Sequence, residues 1–156
     1  MTFHNRRFRE EDLRNFSQVA KNSPTLRVLI VEDERLIRWS IAETLEHAGH
    51  VVIEAGDGAS AIRSLTNLNE PVDAVVLDYR LPDSNDLALL AHIRRLSPRS
   101  AMILMTAFGT PEITTAALDL GVYQVLNKPF DMHHLQSLLL QACGSKEPPS
   151  SSGSAV

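Results

Sequence analysis

The residues in this sequence that are best suited to chemistry are polar side chains that stand at the ends of short apolar runs. They comprise three carboxylates, a hydroxyl and an ammonium group: Glu32, Asp33, Asp78, Thr106 and Lys128. Unbroken apolar runs of this length predict strands that are buried on both faces of a sheet. The carboxyl ends of parallel strands share one edge of a sheet, where ligands bind in open α/β folds. We therefore expect the five groups to converge on one pocket.

The chemistry that this set predicts is phosphoryl transfer. Three carboxylates at close range repel one another unless a cation lies between them, and oxygen ligands with access to water suit Mg²⁺. Mg²⁺ and Lys128 together would balance the charge of Glu32, Asp33 and Asp78, so that a phosphate group could enter. Asp78 is then a candidate nucleophile that forms an acyl phosphate. Lys128 and the hydroxyl of Thr106 would each hold a phosphoryl oxygen.

The elements that must position these residues follow a repeating order of apolar strand and amphipathic helix. Five strands are predicted, at Leu26–Val31, Val51–Ile53, Ala74–Leu77, Ala101–Met105 and Tyr123–Leu126. Apolar residues at helical spacing follow each strand; the first set is Ile37, Ile41 and Leu45, and Gly49 ends that helix. Strict alternation of this kind predicts an α/β fold with a parallel sheet and helices on both faces.

Length and composition limit the functional classes. The chain has 156 residues, enough for one domain with a real core, and 44% of them are hydrophobic and 22% charged. A formal charge of -4 argues against a nucleic-acid-binding surface. A single cysteine, Cys143, excludes an internal disulfide and suits a reducing compartment. The apolar runs are too short to span a membrane, and no apolar signal core follows the N-terminus. We predict a cytoplasmic protein.

Both ends of the chain differ in composition from its middle. Residues 1–24 are read as an N-terminal extension in which Leu13, Phe16 and Ala20 recur at helical spacing. That extension is either a short amphipathic helix or an arm that packs on nothing. Residues 25–144 form the predicted domain. Residues 145–156, rich in proline and serine, are predicted to be a disordered tail.

Five short motifs carry a resemblance to a known family: Val31-Glu32-Asp33, Val76-Leu77-Asp78, Leu81-Pro82, Met105-Thr106-Ala107 and Lys128-Pro129-Phe130. From about Leu26 to Cys143 the chain resembles the receiver domain of two-component response regulators. The stretches Thr106-Ala107-Phe108-Gly109 and Lys128-Pro129-Phe130-Asp131 look most like the nitrogen-regulatory class. The resemblance implies a flavodoxin-like fold with five alternating strands and helices and a parallel sheet in the order 2-1-3-4-5.

The resemblance also implies roles and partners. Asp78 would be the phosphoacceptor and Asp33 a direct Mg²⁺ ligand, while Glu32 would act through water. The backbone carbonyl of Arg80 would complete the metal site, and the bond from Lys128 to Pro129 would be cis. The phosphoryl donor would be a sensor histidine kinase or a phosphotransfer protein. Output would pass to a partner or a second copy through the face formed by the fourth helix, fifth strand and fifth helix. The protein would be a switch, without substrate turnover.

Three positions depart from the family pattern. Glu32 stands where many members have aspartate, and Asp86 stands where glycine is usual; aspartate tolerates the left-handed conformation better than most residues. Val125 stands where active members usually carry tyrosine or phenylalanine, three positions before Lys128. Because a valine has no ring to rotate, we expect a weaker or different conformational response, with Tyr123 only a partial substitute. Val125 also keeps an alternative open, a receiver-like interaction scaffold that signals without phosphorylation.

Other functional classes fit the residues less well. A phosphatase with an aspartyl nucleophile needs a second acid two residues later, and that position is Arg80. A flavin or nucleotide module needs a glycine- or serine-rich loop after the first strand, where this chain has Glu32-Asp33-Glu34. The pair His133 and His134 lacks the spacing of a helical zinc site.

Overall fold

The computed structural model describes residues 24–144, and these residues form five strands and five helices. In chain order the elements are β1 (Arg27–Val31), α1 (Arg35–His47), β2 (Val51–Ala55), α2 (Gly58–Asn67), β3 (Ala74–Asp78), α3 (Ala88–Leu96), β4 (Ala101–Thr106), α4 (Pro111–Asp119), β5 (Gln124–Asn127) and α5 (Met132–Gly144). The predicted helix near the N-terminus and the predicted disordered tail lie outside this range.

The strands form one parallel sheet in the order β2-β1-β3-β4-β5. This is the flavodoxin-like arrangement that the sequence predicts, with every crossover made by a helix. The order reverses at β1, so that β1 and β3 are neighbours at the centre although β2 lies between them in the chain. The register pairs Val31 with Leu77, Asp78 with Met105, and Thr106 with Asn127, so the polar groups after these strands begin at nearly the same level of the sheet.

Apolar side chains cover both faces of the sheet. Helices α2, α3 and α4 pack on one face through residues such as Ala61, Leu90 and Ala117. Helices α1 and α5 pack on the other face, where Leu45 and Leu135 are buried. All five residues of β3 are buried, because that strand has a neighbour on each side and helices on both faces.

The strand boundaries differ from the sequence prediction by one or two residues. β2 continues to Ala55, because the Ala55 carbonyl accepts a hydrogen bond from the Glu32 N–H and extends the pairing with β1. β5 begins at Gln124 rather than Tyr123, and Tyr123 is 43% exposed. Among residues 24–144, no helix is both long enough and apolar enough to cross a bilayer.

Candidate functional site

The three carboxylates predicted to act together do converge in the structure. Glu32, Asp33 and Asp78 each offer an oxygen, and these atoms lie within 4.8 Å of one another. Glu32 and Asp78 are buried, whereas Asp33 is exposed at the rim. Within residues 24–144 no other group of three acids, histidines or cysteines is this close. The open pocket above them is also lined by Thr106 and Lys128, as the sequence analysis predicts.

Backbone hydrogen bonds hold the site residues at the ends of their strands. The Glu32 N–H donates to the Ala55 carbonyl at 3.0 Å, and the Lys128 N–H donates to the Thr106 carbonyl at 2.8 Å. Between them, the N–H of Tyr79, next to Asp78, donates to Met105 at 2.8 Å. Each bond continues the ladder of the sheet one step past the strand. The strand register therefore fixes the relative positions of the site residues.

Lys128 connects the two buried carboxylates. Its Nζ lies 2.7 Å from Glu32 Oε2 and 3.1 Å from Asp78 Oδ2. Both contacts of Nζ are charge-assisted hydrogen bonds, which are shorter and stronger than neutral ones. The peptide bond from Lys128 to Pro129 is cis, as the resemblance implies.

The proton affinities of this cluster are shifted in the structure. Burial is the main cause that raises the pKa of Glu32 to about 7; the charge of Asp78 adds to it, and the hydrogen bond from Lys128 opposes it. Burial alone would lower the pKa of Lys128, but the hydrogen bond to Glu32 and the charges of Asp78 and Glu32 outweigh burial and raise that pKa. Lys128 is thus held in its charged form. One monovalent cation that contacts two of the three acids leaves negative charge at the site.

The donor set at this site fits a divalent cation that prefers oxygen. All three side-chain groups are carboxylates, and the exposure of Asp33 gives access to water. Arg80 lines the same pocket, and its N–H donates to Asp78 Oδ1 at 3.3 Å. These features suit Mg²⁺, which takes few protein ligands and keeps several waters.

Thr106 is the last residue of β4 and lies at the floor of the pocket, 3% exposed. Its Oγ1 accepts a hydrogen bond from the Phe108 N–H at 3.3 Å. Gly109, the residue after Phe108, lies close to both Asn127 and Thr106. A Cβ at this position would lie 2.8 Å from Asn127 Oδ1 and 3.0 Å from Thr106 Cγ2. The loop after β4 therefore lies tightly against the ends of both β4 and β5.

The departures from the family pattern have distinct environments. Asp86 accepts a hydrogen bond from the Ala88 N–H at 2.9 Å. It does not adopt the left-handed conformation that aspartate tolerates, since no non-glycine residue among 24–144 has a positive φ. Val125 is half-buried and packs against the apolar residues beneath α2, α3 and α4. His133 and His134 are exposed to solvent on α5.

Sequence reasoning missed two further residues that make hydrogen bonds near the site. Arg38 on α1 donates from Nη1 to the Glu32 carbonyl at 2.7 Å and from Nε to Glu54 at 3.2 Å, so it ties the acidic loop to β2. Asp83, in the loop after β3, accepts hydrogen bonds from the N-terminus of α2. A cation one turn into the helix after an acidic loop is a signal that could have identified Arg38. Nothing in the sequence pairs Asp83 with α2.

Known proteins with this arrangement share both sequence and fold with the chain. Residues 28–140 match the family model described as response regulator receiver domain. The chain is 38% identical over 112 residues to the transcriptional regulatory protein PdtaR of Mycobacterium tuberculosis, covering 70% of this chain and 52% of that protein. It is 30% identical over 122 residues to the DNA-binding transcriptional regulator NtrC of Azospirillum brasilense, covering 78% of this chain and 25% of that protein. The chain thus spans between a quarter and about half of these relatives.

A solved structure agrees with the sequence relatives. A response regulator receiver domain protein from Methanospirillum hungatei JF-1, described as CheY-like, superposes with a TM-score of 0.74 at 25% identity, over 80% of this chain and 98% of that one. The order of strands and the acidic cluster agree with a receiver, and the similarity to NtrC agrees with the nitrogen-regulatory kind of receiver that the motifs indicate. This chain belongs to the response regulator receiver domain family.

Proposed function

We propose that this chain is a phosphorylation-controlled switch that accepts a phosphoryl group on Asp78 from a sensor histidine kinase or a phosphotransfer protein. The observation that carries the proposal is the contact of Lys128 Nζ with Asp78 Oδ2 at 3.1 Å, in an acidic cluster that also contains Glu32 and Asp33. This reaction needs a nucleophilic carboxylate, a cation in a fixed position, and further acids that can hold a metal ion. Receiver domains are signalling modules, and we expect no turnover of a separate substrate.

In the proposed reaction, one carboxylate oxygen of Asp78 attacks the phosphorus of a phosphohistidine. The bond between phosphorus and nitrogen breaks, and the imidazole leaves with the bonding electrons and takes up a proton. Lys128 moves its contact from the Asp78 carboxylate to a phosphoryl oxygen. The Thr106 hydroxyl, whose oxygen accepts one long hydrogen bond at rest, donates a hydrogen bond to another phosphoryl oxygen.

The proposal includes Mg²⁺ as the cofactor. Asp33 and Asp78 would bind it directly, the backbone carbonyl of Arg80 would add a neutral oxygen, and Glu32 would act through water. When bound, the ion supplies positive charge that stabilises the oxygens of the transferring phosphoryl group. Glu32 suits an indirect role, because it is fully buried and already accepts hydrogen bonds from Lys128 and from the Glu34 N–H.

The proposed output surface is the face formed by α4, β5 and α5. It exposes two large apolar side chains: Leu118 on α4 is 47% exposed and Tyr123, just before β5, is 43% exposed. We propose that a second copy of the chain or an output partner binds there after phosphorylation. Residues 25–144 form the proposed receiver unit, and we propose that the chain acts in the cytoplasm and binds no nucleic acid by itself.

Acetyl phosphate and Mg²⁺ test the central proposal. Intact-mass measurement of the wild-type chain should show one added phosphoryl group, which hydroxylamine removes because it cleaves acyl phosphates. Asp78→Asn should abolish the modification, while Asp86→Asn, in the same loop but outside the pocket, should leave it intact. A wild-type chain that remains unmodified under these conditions would contradict the proposal and favour a scaffold that signals without phosphorylation.

A further inference from the structure

The N-terminus of α2 is capped by two aspartates that come from different parts of the chain. An α-helix leaves its first N–H groups without partners inside the helix. Here Asp57, the N-cap residue, accepts the Ser60 N–H at 2.7 Å. The two amides before Ser60 donate instead to Asp83, from Gly58 N to Oδ1 at 2.8 Å and from Ala59 N to Oδ2 at 3.0 Å. One cap is local, and the other crosses from the loop after β3.

The approach of Asp83 to α2 depends on Gly58. A Cβ at position 58 would lie 3.1 Å from Asp83 Oδ1 and 3.0 Å from a methyl carbon of Leu89, closer than side chains normally tolerate. The absence of a side chain lets both oxygens of the carboxylate reach backbone amides. The negative charge of Asp83 also faces the positive end of the helix dipole, which strengthens the contact.

The loop that carries Asp83 is the loop that lines the phosphoryl pocket. It leaves β3 at Asp78, and Arg80 donates its N–H back to Asp78 Oδ1. Leu81 is 6% exposed, and the Leu81 N–H donates a hydrogen bond to the Ser84 carbonyl at 2.7 Å. Asp83 lies inside that closed turn. The segment from Asp78 to Ser84 is therefore fixed at its start by the sheet and at its end by α2.

We propose that Asp83 is a positioning residue for the metal side of the phosphoacceptor site. By holding the turn after Leu81 against α2, it fixes the position of the Arg80 backbone that the proposed Mg²⁺ site uses. The inference rests on the proposed function, because it gives Asp83 a role in that same site. It also predicts that the N-terminus of α2 responds to occupancy of the pocket, although Gly58 and Ala59 are not among the residues that line it.

The test compares Asp83→Ala with Asp57→Ala in the full chain. Each variant removes a carboxylate cap from the same end of the same helix, but only Asp83 connects that helix to the pocket. Mg²⁺ binding is followed by amide NMR, and the phosphorylation rate is followed with acetyl phosphate. We expect Asp83→Ala to weaken Mg²⁺ binding by about tenfold, as is usual for groups that orient metal ligands. Asp57→Ala should bind Mg²⁺ within about twofold of wild type, and Asp83→Asn, which keeps one acceptor oxygen, should lie between.

A second readout does not depend on the reaction. In the wild-type chain, the Gly58 and Ala59 amide signals should move along the same Mg²⁺ titration curve as the Arg80 amide, and in Asp83→Ala they should not respond. If Asp83 only stabilises α2, both variants will speed amide exchange in α2 equally and bind Mg²⁺ equally, which would overturn the inference. A wild-type chain that binds no Mg²⁺ would overturn the proposed function as well.

Discussion

At the scale of single residues, Lys128 supplies the positive charge that stabilises the neighbouring buried carboxylates of Glu32 and Asp78. Among residues 24–144, the only ion pairs of Glu32 and Asp78 are those with Lys128. Removal of one member of a buried ion pair usually destabilises a protein strongly, because the partner keeps its charge without compensation. Here the damage is limited, since Glu32 has a raised pKa and can take up a proton. A divalent cation could also replace part of the lost charge.

We therefore predict a metal-dependent stability defect for Lys128→Met. In the presence of a chelator, the free energy of unfolding should fall by about 2–3 kcal/mol, at or below the low end for a buried pair. Saturating Mg²⁺ should recover part of that loss, and the rate of phosphorylation by acetyl phosphate should remain low. Urea unfolding with and without Mg²⁺ measures the effect, with Arg99→Met, an exposed cation before β4, as the control. Equal losses with and without Mg²⁺ would show that Lys128 and the metal do not share the same carboxylates.

At the scale of elements, β5 links the pocket to the proposed output surface but carries no aromatic ring beside Thr106. Val125 pairs with Leu104 in the sheet register, two residues before the level of Thr106, and it is already packed against the core. Tyr123 lies two residues further from the pocket and is exposed. We expect Val125, which has no ring, to fill none of the space that Thr106 would leave by turning toward a phosphoryl group, and Tyr123 to fill at most part of it. We therefore expect the response in the loop that begins at Ala107 and in α4.

Amide NMR with beryllofluoride, a phosphoryl mimic, measures that response. We expect large shifts near Asp78 and from Thr106 into α4, and small shifts from Gln124 to Leu126. Val125→Tyr, which restores a ring at this position, should extend the large shifts into β5. Shifts in wild-type β5 that match those of the loops would mean that the missing ring does not matter and that the switch lies elsewhere.

At the scale of the whole molecule, the sequence predicts the architecture of the sheet more accurately than it predicts the contacts that the loops make. Strand order and helix positions follow from apolar periodicity and from the family motifs, and the convergence of Glu32, Asp33 and Asp78 follows from the strand order. The predicted start of β5 is one residue too early: the Tyr123 N–H donates to the Met102 carbonyl at 2.8 Å, but the paired residues of β5 begin with Gln124 opposite Ile103. The cap by Asp83 joins residues 25 positions apart, and no local pattern predicts such a pair.

His50 is another residue whose role only the fold reveals, and it affects the stability of the whole domain. It is 7% exposed, and its Nδ1 accepts the Leu26 N–H at 3.0 Å, which requires that nitrogen to be unprotonated. Burial lowers the pKa of His50. The unfolded chain then binds more protons at low pH than the folded protein does. The contribution of His50 to stability is complete above its unfolded pKa of about 6.5 and is lost as the pH falls toward the lower folded value.

We predict that the difference in the free energy of unfolding between wild type and His50→Asn changes between about pH 7.5 and 5.5, because only wild type loses the contribution of His50 as the pH falls. Glu32 acts in the opposite direction, because its raised pKa removes stability as the pH rises through about 7. It is present in both proteins, so the difference between wild type and variant isolates His50. Urea unfolding at several pH values checks this, with His47→Asn as the control, since His47 flanks the same turn with its side chain 82% exposed. Parallel pH profiles for wild type and His50→Asn would contradict the prediction.

The hydrogen bond from the Phe108 N–H to Thr106 Oγ1 is long, at 3.3 Å, and it opposes the proposed movement of the threonine. A bond of this length contributes less than the about 1 kcal/mol of an ordinary hydrogen bond. In the proposed switch, release of the threonine hydroxyl from this hydrogen bond therefore costs less than about 1 kcal/mol. A hydrogen bond that the same hydroxyl donates to a charged phosphoryl oxygen is roughly twice as strong as one between neutral groups, so it would offset that cost.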